Sequence, residues 1–270
     1  MASLSKYRVK PGRPFDLDDI DPASKPFSGA SKADDLEHLA TLSGEISALQ
    51  ELLYANRSRS LLIVLQGTDT SGKDGTVRSV FSHVDPLGVN VASFKAPTLE
   101  EQDHDFLWRI HRHTPGGGKI AIFNRSHYED VLITRVKGWI DDEEVERRCA
   151  HIRHFEQLLI DRGTTILKCF LHISKDEQKE RLEARLADPA KHWKFDPADL
   201  DERKSWDAYQ RAYASALSET STKDAPWYVV PANSKTHRNV MVADLCLSAL
   251  QGMKLEPPKA NPAFAKLKIR

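Results

Sequence analysis

The sequence predicts an α/β protein, a three-layer α/β/α sandwich with a five-stranded parallel sheet between two layers of helices. Three observations lead there. Apolar segments of strand length alternate with segments of helical period along most of the chain, the pattern of repeated strand–helix–strand crossovers. The first long strand, Leu61 to Gln66, is a continuous apolar run up to its last residue, as expected for a strand covered on both faces. That strand leads directly into a glycine-bounded loop and a helix start.

Taken in order, residues 1–33 carry Pro11, Pro14, Pro22 and Pro26, which forbid a long helix and predict an extended arm over the surface. Asp34 to Tyr54 reads as a helix, because Leu39, Leu42, Ile46, Leu49 and Leu53 recur at spacings of three and four. After the loop a helix is expected from Thr76 to His83, and a second strand from Val89 to Phe94. Lys95-Ala96-Pro97 breaks that strand, and Thr98 with Glu101 makes a capping box for a helix reaching about His113. Pro115 and three glycines stop it before a short buried strand, Ile120 to Phe123. Asp141 with Glu144 opens a helix to about Arg162, and Gly163 precedes a strand from Thr164 to Ile173. Ser174 with Glu177 opens the next helix, which carries Arg181 and Arg185. An irregular basic stretch follows (Lys191, His192, Trp193, Lys194), then a helix from about Leu200 to Leu217. Trp227 to Val230 is the last strand, and Thr236 to Gly252 the last helix. The expected organisation is one domain over 34–255 with a helical lid at about 175–217, and a loose tail over 256–270 in which Phe264 and Leu267 could dock.

Composition narrows the function. The chain has 39 basic and 39 acidic residues in 270, so bulk charge indicates neither nucleic acid nor membrane as partner. Three scattered cysteines suit a reducing cytoplasm better than a disulfide framework. No apolar run reaches membrane-spanning length, and no signal-peptide core is expected at the N-terminus. His151 and His154 share a helix face without an accompanying carboxylate or cysteine set of known metal spacing, so a structural role is expected.

The chemistry lies in Gly67-Thr68-Asp69-Thr70-Ser71-Gly72-Lys73, a G-x-x-x-x-G-K loop. Such a loop points backbone N–H groups at phosphate oxygens, while the helix behind presents its positive end and Lys73 adds a point charge. The Ser or Thr that usually follows the lysine as a Mg2+ ligand is replaced by Asp74. The strand 120–123 ends in Asn124, where P-loop enzymes usually place a carboxylate, and Arg125 beside it suits a phosphate clamp. Arg181 and Arg185 lie one turn apart; they either await an anion or sit on a solvated face neutralised by Glu177 and Asp188. Together these features predict a P-loop kinase-like fold of the nucleoside-monophosphate-kinase type, with the ligand at the carboxyl ends of the strands.

The loop 67–75, the block Phe123-Asn124-Arg125-Ser126-His127-Tyr128-Glu129-Asp130-Val131-Leu132 and the segment from Glu180 through Lys194 resemble the polyphosphate kinase 2 family. Lys95-Ala96-Pro97-Thr98 and Ala225 to Pro231 fit as well, so the resemblance spans about residues 35 to 255. It implies reversible transfer of the terminal phosphoryl group of inorganic polyphosphate to nucleoside mono- and diphosphates, with Mg2+ (or Mn2+ in its place) as cofactor. The resemblance makes Asp69, Lys73, Asn124 and Arg125 the catalytic set, with Asp69 also holding the metal. Thr70, Ser71, Gly72, Lys73, Asp74 and Gly75 would grip the polyphosphate, joined by Arg78 and Lys95 on position alone. Arg125, Glu129 and Arg135 would hold the nucleotide, adenine or guanine, while Arg181, Arg185, Lys191 and Lys194 would close over it from the lid. Many members have Asp where Asn124 stands, and Tyr128-Glu129 resembles the members that accept monophosphates as well as diphosphates. The resemblance further implies a homodimer or homotetramer. Two rival readings share the same motif: a nucleotide kinase with ATP as donor, and a non-catalytic P-loop module that binds nucleotides.

Overall fold

Ser60–Gln66 (β1) forms the axis of the molecule, with all seven residues buried. It pairs in parallel with Ile120–Asn124 (β3) on one side, Leu61 opposite Ile120, and with Thr164–His172 (β4) on the other, Leu61 opposite Thr165. Val89–Ser93 (β2) and Trp227–Pro231 (β5) add the outer strands, giving the order β2-β3-β1-β4-β5, parallel throughout. The structure, a computed structural model, describes residues 3–262, 264 and 268.

Helices cover both faces. Lys32–Asn56 (α1), Lys73–Val80 (α2) and Lys235–Gly252 (α10) pack together on one face. Glu129–Val136 (α5), Asp142–Asp161 (α6) and Trp206–Thr220 (α9) pack on the other. Leu42, Ile46 and Leu53 of α1 are buried, as their spacing requires. The helix starts before Asp34 because Ser31 and Asp34 cap it reciprocally, and it ends at Arg57 in the left-handed region, φ 57°.

Three helical expectations need correction. The helix expected from Thr98 to about His113 is two single turns, Leu99–Gln102 (α3) and Trp108–His111 (α4). The Thr98–Glu101 capping box forms as expected, but Asp103 to Leu107 interrupt the helix, and Asp105 turns its carboxylate onto the Leu107 N–H. The helix expected from Leu200 divides into Ala198–Lys204 (α8) and α9, with Ser205 between them at φ −91°, ψ 18°. Helix α5 was not expected at all: it starts after Tyr128 without a side-chain cap. Lys175–Leu186 (α7) and a 3-10 turn over Pro189–Lys194 complete the segment that leads into α8.

The arm does more than lie on the surface. Tyr7, Val9, Leu17 and Ile20 are buried in the main core. The Val9 N–H donates to the Trp227 carbonyl at 2.9 Å, and Arg8 bridges Tyr228 antiparallel, which covers the free edge of β5. Phe264 is exposed, and Leu267 lies outside the described residues.

Candidate active site

At the carboxyl end of β1 the neighbouring strands diverge toward opposite edges, the crevice where open α/β sheets place ligands. The loop 67–72 turns there. Gly67 (φ 152°) and Gly72 (φ 101°) both have no room for a side chain. A Cβ on Gly67 would lie 2.7 Å from the Leu171 carbonyl oxygen, and one on Gly72 would lie 1.9 Å from Arg238 Nη1. Thr70 (φ 64°) and Arg125 (φ 61°) also adopt left-handed backbone, a cost that non-glycine residues carry mostly at functional turns.

The loop encloses polar atoms that want partners. The hydroxyls of Thr68, Thr70 and Ser71 are buried without a hydrogen bond among the described residues, so they suit phosphate oxygens or a metal shell. Lys73 is buried, and its ammonium donates to the Gly67 carbonyl at 2.6 Å and the Thr68 carbonyl at 3.3 Å. Burial, with the nearby Arg125 charge, lowers Lys73 to about 8 against the pull of Asp69, Glu129 and Asp74. Arg125 Nη2 donates to Asp69 Oδ1 at 2.6 Å, half-exposed at the front of the loop. Burial works against the Arg125 charge, but Glu129 and Asp69 outweigh it and raise it. Asn124 donates its amide to the Asp74 carboxylate, so it ties β3 to the first turn of α2.

In front of the loop lies a cleft of about 710 Å3. Its floor is polar (Asp69, Arg125, Glu129, Arg109) and its walls are aromatic and apolar (Phe94, Pro97, Ile133, Trp139, Trp206, Tyr209, Tyr213). Burial lifts the Glu129 carboxyl above its usual range despite Arg125 and Lys73. Burial and the like charge of Asp69 lift Asp199, on the far wall, to about 6. Aromatic side chains beside cationic ones suit a nucleotide: stacking for the base, guanidinium and ammonium for the phosphates.

The structure brings together Asp69, Thr70, Ser71, Gly72, Lys73, Asp74, Gly75, Asn124, Arg125 and Glu129, and Lys95 lines the cleft. The remaining expected residues do not line the cleft. Arg78 is exposed on α2, the helix that follows the loop. Arg135 pairs with Asp142 at 2.8 Å and is not part of the cleft. Arg181 is no lid cation: it is buried beneath the loop, donating to the carbonyls of Thr70 (2.8 Å), Ser71 (3.1 Å), Ala232 (2.7 Å) and Asn233 (2.9 Å). Arg185 pairs with Asp199 (3.6 Å) and donates to the Lys194 carbonyl; Lys191 pairs with Asp188 (2.7 Å), and the Lys194 ammonium sits over the Trp193 ring. The segment shows the cleft Asp196, Asp199 and Glu202 instead of its cations, because local pairing turns the cations aside.

Sequence reading also missed residues. Trp206, Tyr209 and Tyr213 lie at i, i+3 and i+7 on α9, an aromatic stripe that spacing alone could have flagged as facing a cleft. Arg109 is buried against Asp130 (3.4 Å) and the Lys95 carbonyl (2.8 Å), and carries no motif.

The family model described as polyphosphate kinase 2 matches residues 29–258. An AMP/ADP-polyphosphate phosphotransferase of Meiothermus ruber is 49% identical, covering 98% of this chain and 100% of the relative. An ADP-polyphosphate phosphotransferase of Rhodopseudomonas palustris is 42% identical, covering 97% of this chain and 94% of the relative. The crystal structure of polyphosphate kinase 2 from Arthrobacter aurescens superposes with a TM-score of 0.93 at 48% identity, covering 98% of this chain and 95% of that one.

Proposed function

The chain belongs to the polyphosphate kinase 2 family and phosphorylates nucleotides at the expense of polyphosphate, and from that premise we propose how its residues divide the work. The loop 67–75 holds the end of the polyphosphate chain; the aromatic cleft holds a nucleoside mono- or diphosphate. The observation that carries this reading is a set of unpartnered loop hydroxyls with Lys73 beside the Asp69–Arg125 pair, opening onto a nucleotide-sized cleft.

Transfer then needs positioning and charge more than covalent chemistry. Loop N–H groups and Lys73 neutralise the donor phosphates. The Arg125 fork holds the acceptor phosphate, whose terminal oxygen forms the new P–O bond as the bond to the shortened polyphosphate breaks. That attacking oxygen is already anionic, so no general base is required at Asn124, which instead holds Asp74 in place. Mg2+ would supply positive charge that offsets the repulsion between the donor and acceptor phosphates. Asp69 with the Thr70 or Ser71 hydroxyl would hold it. One carboxylate completed by hydroxyl, water and phosphate oxygens suits Mg2+, and no cluster of three metal-ligating side chains occurs among the described residues.

Glu129 beside Arg125 fits the reading that monophosphates are accepted as well as diphosphates. Residues 34–255 act as one domain, with 175–217 as its lid and the arm 1–33 and tail 256–270 flanking it. Assembly as a homodimer or homotetramer and use of guanine nucleotides rest on the family resemblance, and light scattering decides the first. A reducing compartment such as the cytoplasm is supported by three unpaired, buried cysteines. No helix among the described residues is long and apolar enough to cross a membrane.

The direct test supplies polyphosphate and Mg2+ with ADP or with AMP, and no ATP. ATP from ADP and ADP from AMP are expected, and both should stop when Mg2+ is chelated. An ATP-dependent kinase would form no ADP from AMP, and any ATP it made from ADP would appear with an equal amount of AMP and without need of polyphosphate; a binding module would bind without turnover. A second expectation concerns pH. Lys73 must be charged to neutralise phosphate, and it loses its proton as pH rises through about 8. The value of kcat/KM for polyphosphate, which reports the free enzyme, should therefore fall above that pH. A profile flat to pH 10 would show that Lys73 keeps its charge over this range in the free enzyme.

A further inference from the structure

Two arginines with no place in the mechanism lie behind the phosphate loop. Arg181 comes from α7 and Arg238 from the first turn of α10, and both are more than nine-tenths buried. They converge on one atom: the Ser71 carbonyl oxygen accepts from Arg181 Nη1 at 3.1 Å and from Arg238 Nη1 at 3.1 Å. Arg181 reaches past it to the Thr70 carbonyl and back to Ala232 and Asn233, so it ties the loop to the end of β5. The far side of the Arg238 fork is held by Asn239 Oδ1, at 3.1 and 2.9 Å.

The consequence follows from peptide geometry. In a trans peptide the C=O and the following N–H point in opposite directions. Two guanidinium groups pulling the Ser71 oxygen backward turn the Gly72 N–H forward, into the cradle. They also polarise that peptide, which strengthens its N–H as a donor. The charge balance is unusual for so buried a pair. Arg181 has Glu177 at 2.6 Å, while Arg238 has no carboxylate partner among the described residues. Burial and the Arg181 charge lower Arg238 to about 9. An incompletely neutralised cation pair is costly in a core. It is better tolerated next to a site that takes polyanions, where its field adds to that of the helix start.

We propose that Arg238, together with Arg181, is a positioning residue for phosphate binding: the pair clamps the Ser71–Gly72 peptide from behind so that the loop is shaped before its anion arrives. Neither side chain touches substrate in this role. The inference rests on the reading that the loop holds polyphosphate, and the test separates the two.

Equilibrium binding of a defined polyphosphate, and separately of ADP, is measured without turnover for wild type, Lys73→Ala, Arg238→Lys and Arg181→Lys. Lysine keeps the charge but cannot span the carbonyl and Asn239 together. The expected result for Arg238→Lys is a rise in polyphosphate Kd of about tenfold, with ADP Kd within twofold of wild type and an unfolding midpoint within a few degrees. Arg181→Lys should act in the same direction, and serves should Arg238→Lys fail to fold. Lys73→Ala marks which substrate the loop holds. If it weakens ADP in place of polyphosphate, the functional reading fails, while the clamp stands if the arginine variants weaken ADP with it. The clamp is overturned if the arginine variants leave the ligand marked by Lys73→Ala unaffected, or if both affinities fall in parallel with the unfolding midpoint.

Discussion

Lys73→Ala should reduce polyphosphate-dependent turnover by about 100- to 1,000-fold, about 3 to 4 kcal/mol of transition-state stabilisation, by comparison with single lost donors in other charge-stabilising sites. The loss is expected to be large because the ammonium is buried and, among the described residues, held by two loop carbonyls, so it is aimed at whatever enters the cradle. Stability should change little. Removing a charge that burial already disfavours offsets the lost hydrogen bonds. Turnover and the unfolding midpoint measured on the same preparation check both halves. A loss under about tenfold would place Lys73 outside the site.

The largest expected effect on stability is at Glu156. Its carboxylate lies in the core with Lys168 at 2.6 Å, the Tyr128 hydroxyl at 2.7 Å and His127 Nε2 at 3.5 Å. Lys168 also donates to the Thr220 carbonyl at 2.8 Å. Glu156→Leu would leave the ammonium without its counter-charge, at a cost of about 3 to 5 kcal/mol in urea unfolding. Glu156→Leu with Lys168→Met should recover most of that loss, because two apolar side chains replace two charges. A double variant as unstable as the single one would show that hydrogen bonding to Tyr128, and not charge pairing, holds the network. Burial pushes the Glu156 carboxyl up, but Lys168 and His127 outweigh it and hold it below its ordinary 4.5. The folded state therefore favours the ionised form, and this contribution is present at neutral pH and lost as pH falls below about 4.5. Tyr128 leads directly into α5 and Glu129, so the same network steadies one side of the cleft.

The parts legible in the sequence were those written in local spacing. The apolar run before Gly67, the glycines of the loop and the side-chain caps at Thr98, Asp141 and Ser174 each depend on residues within four positions, and each forms. The parallel direction of the strands followed from the alternation of strands and helices, because parallel strands demand crossovers between them, whereas their order in the sheet did not. What spacing could not show was the partner of a long side chain. Arg181 and Arg185 look alike in sequence, one turn apart. One reaches main-chain carbonyls under the loop, and the other reaches a carboxylate across the segment. Every residue offers a carbonyl, so no pattern announces the four that Arg181 binds. Helix α5 was hidden for a related reason: its start at Tyr128 is fixed by the buried hydrogen bond to Glu156, 28 positions away, and not by a capping side chain.

The Arg238 bond to Ser71 joins residues 167 positions apart, and α10 closes the described fold. A ribosome delivers the loop long before it delivers this bond. The nascent chain therefore carries the glycine motif without the support that shapes it until α10 has been made, and under the proposed clamp phosphate capture matures only when that helix docks. Truncation between residues 75 and 238 leaves the motif intact to the eye and removes its foundation.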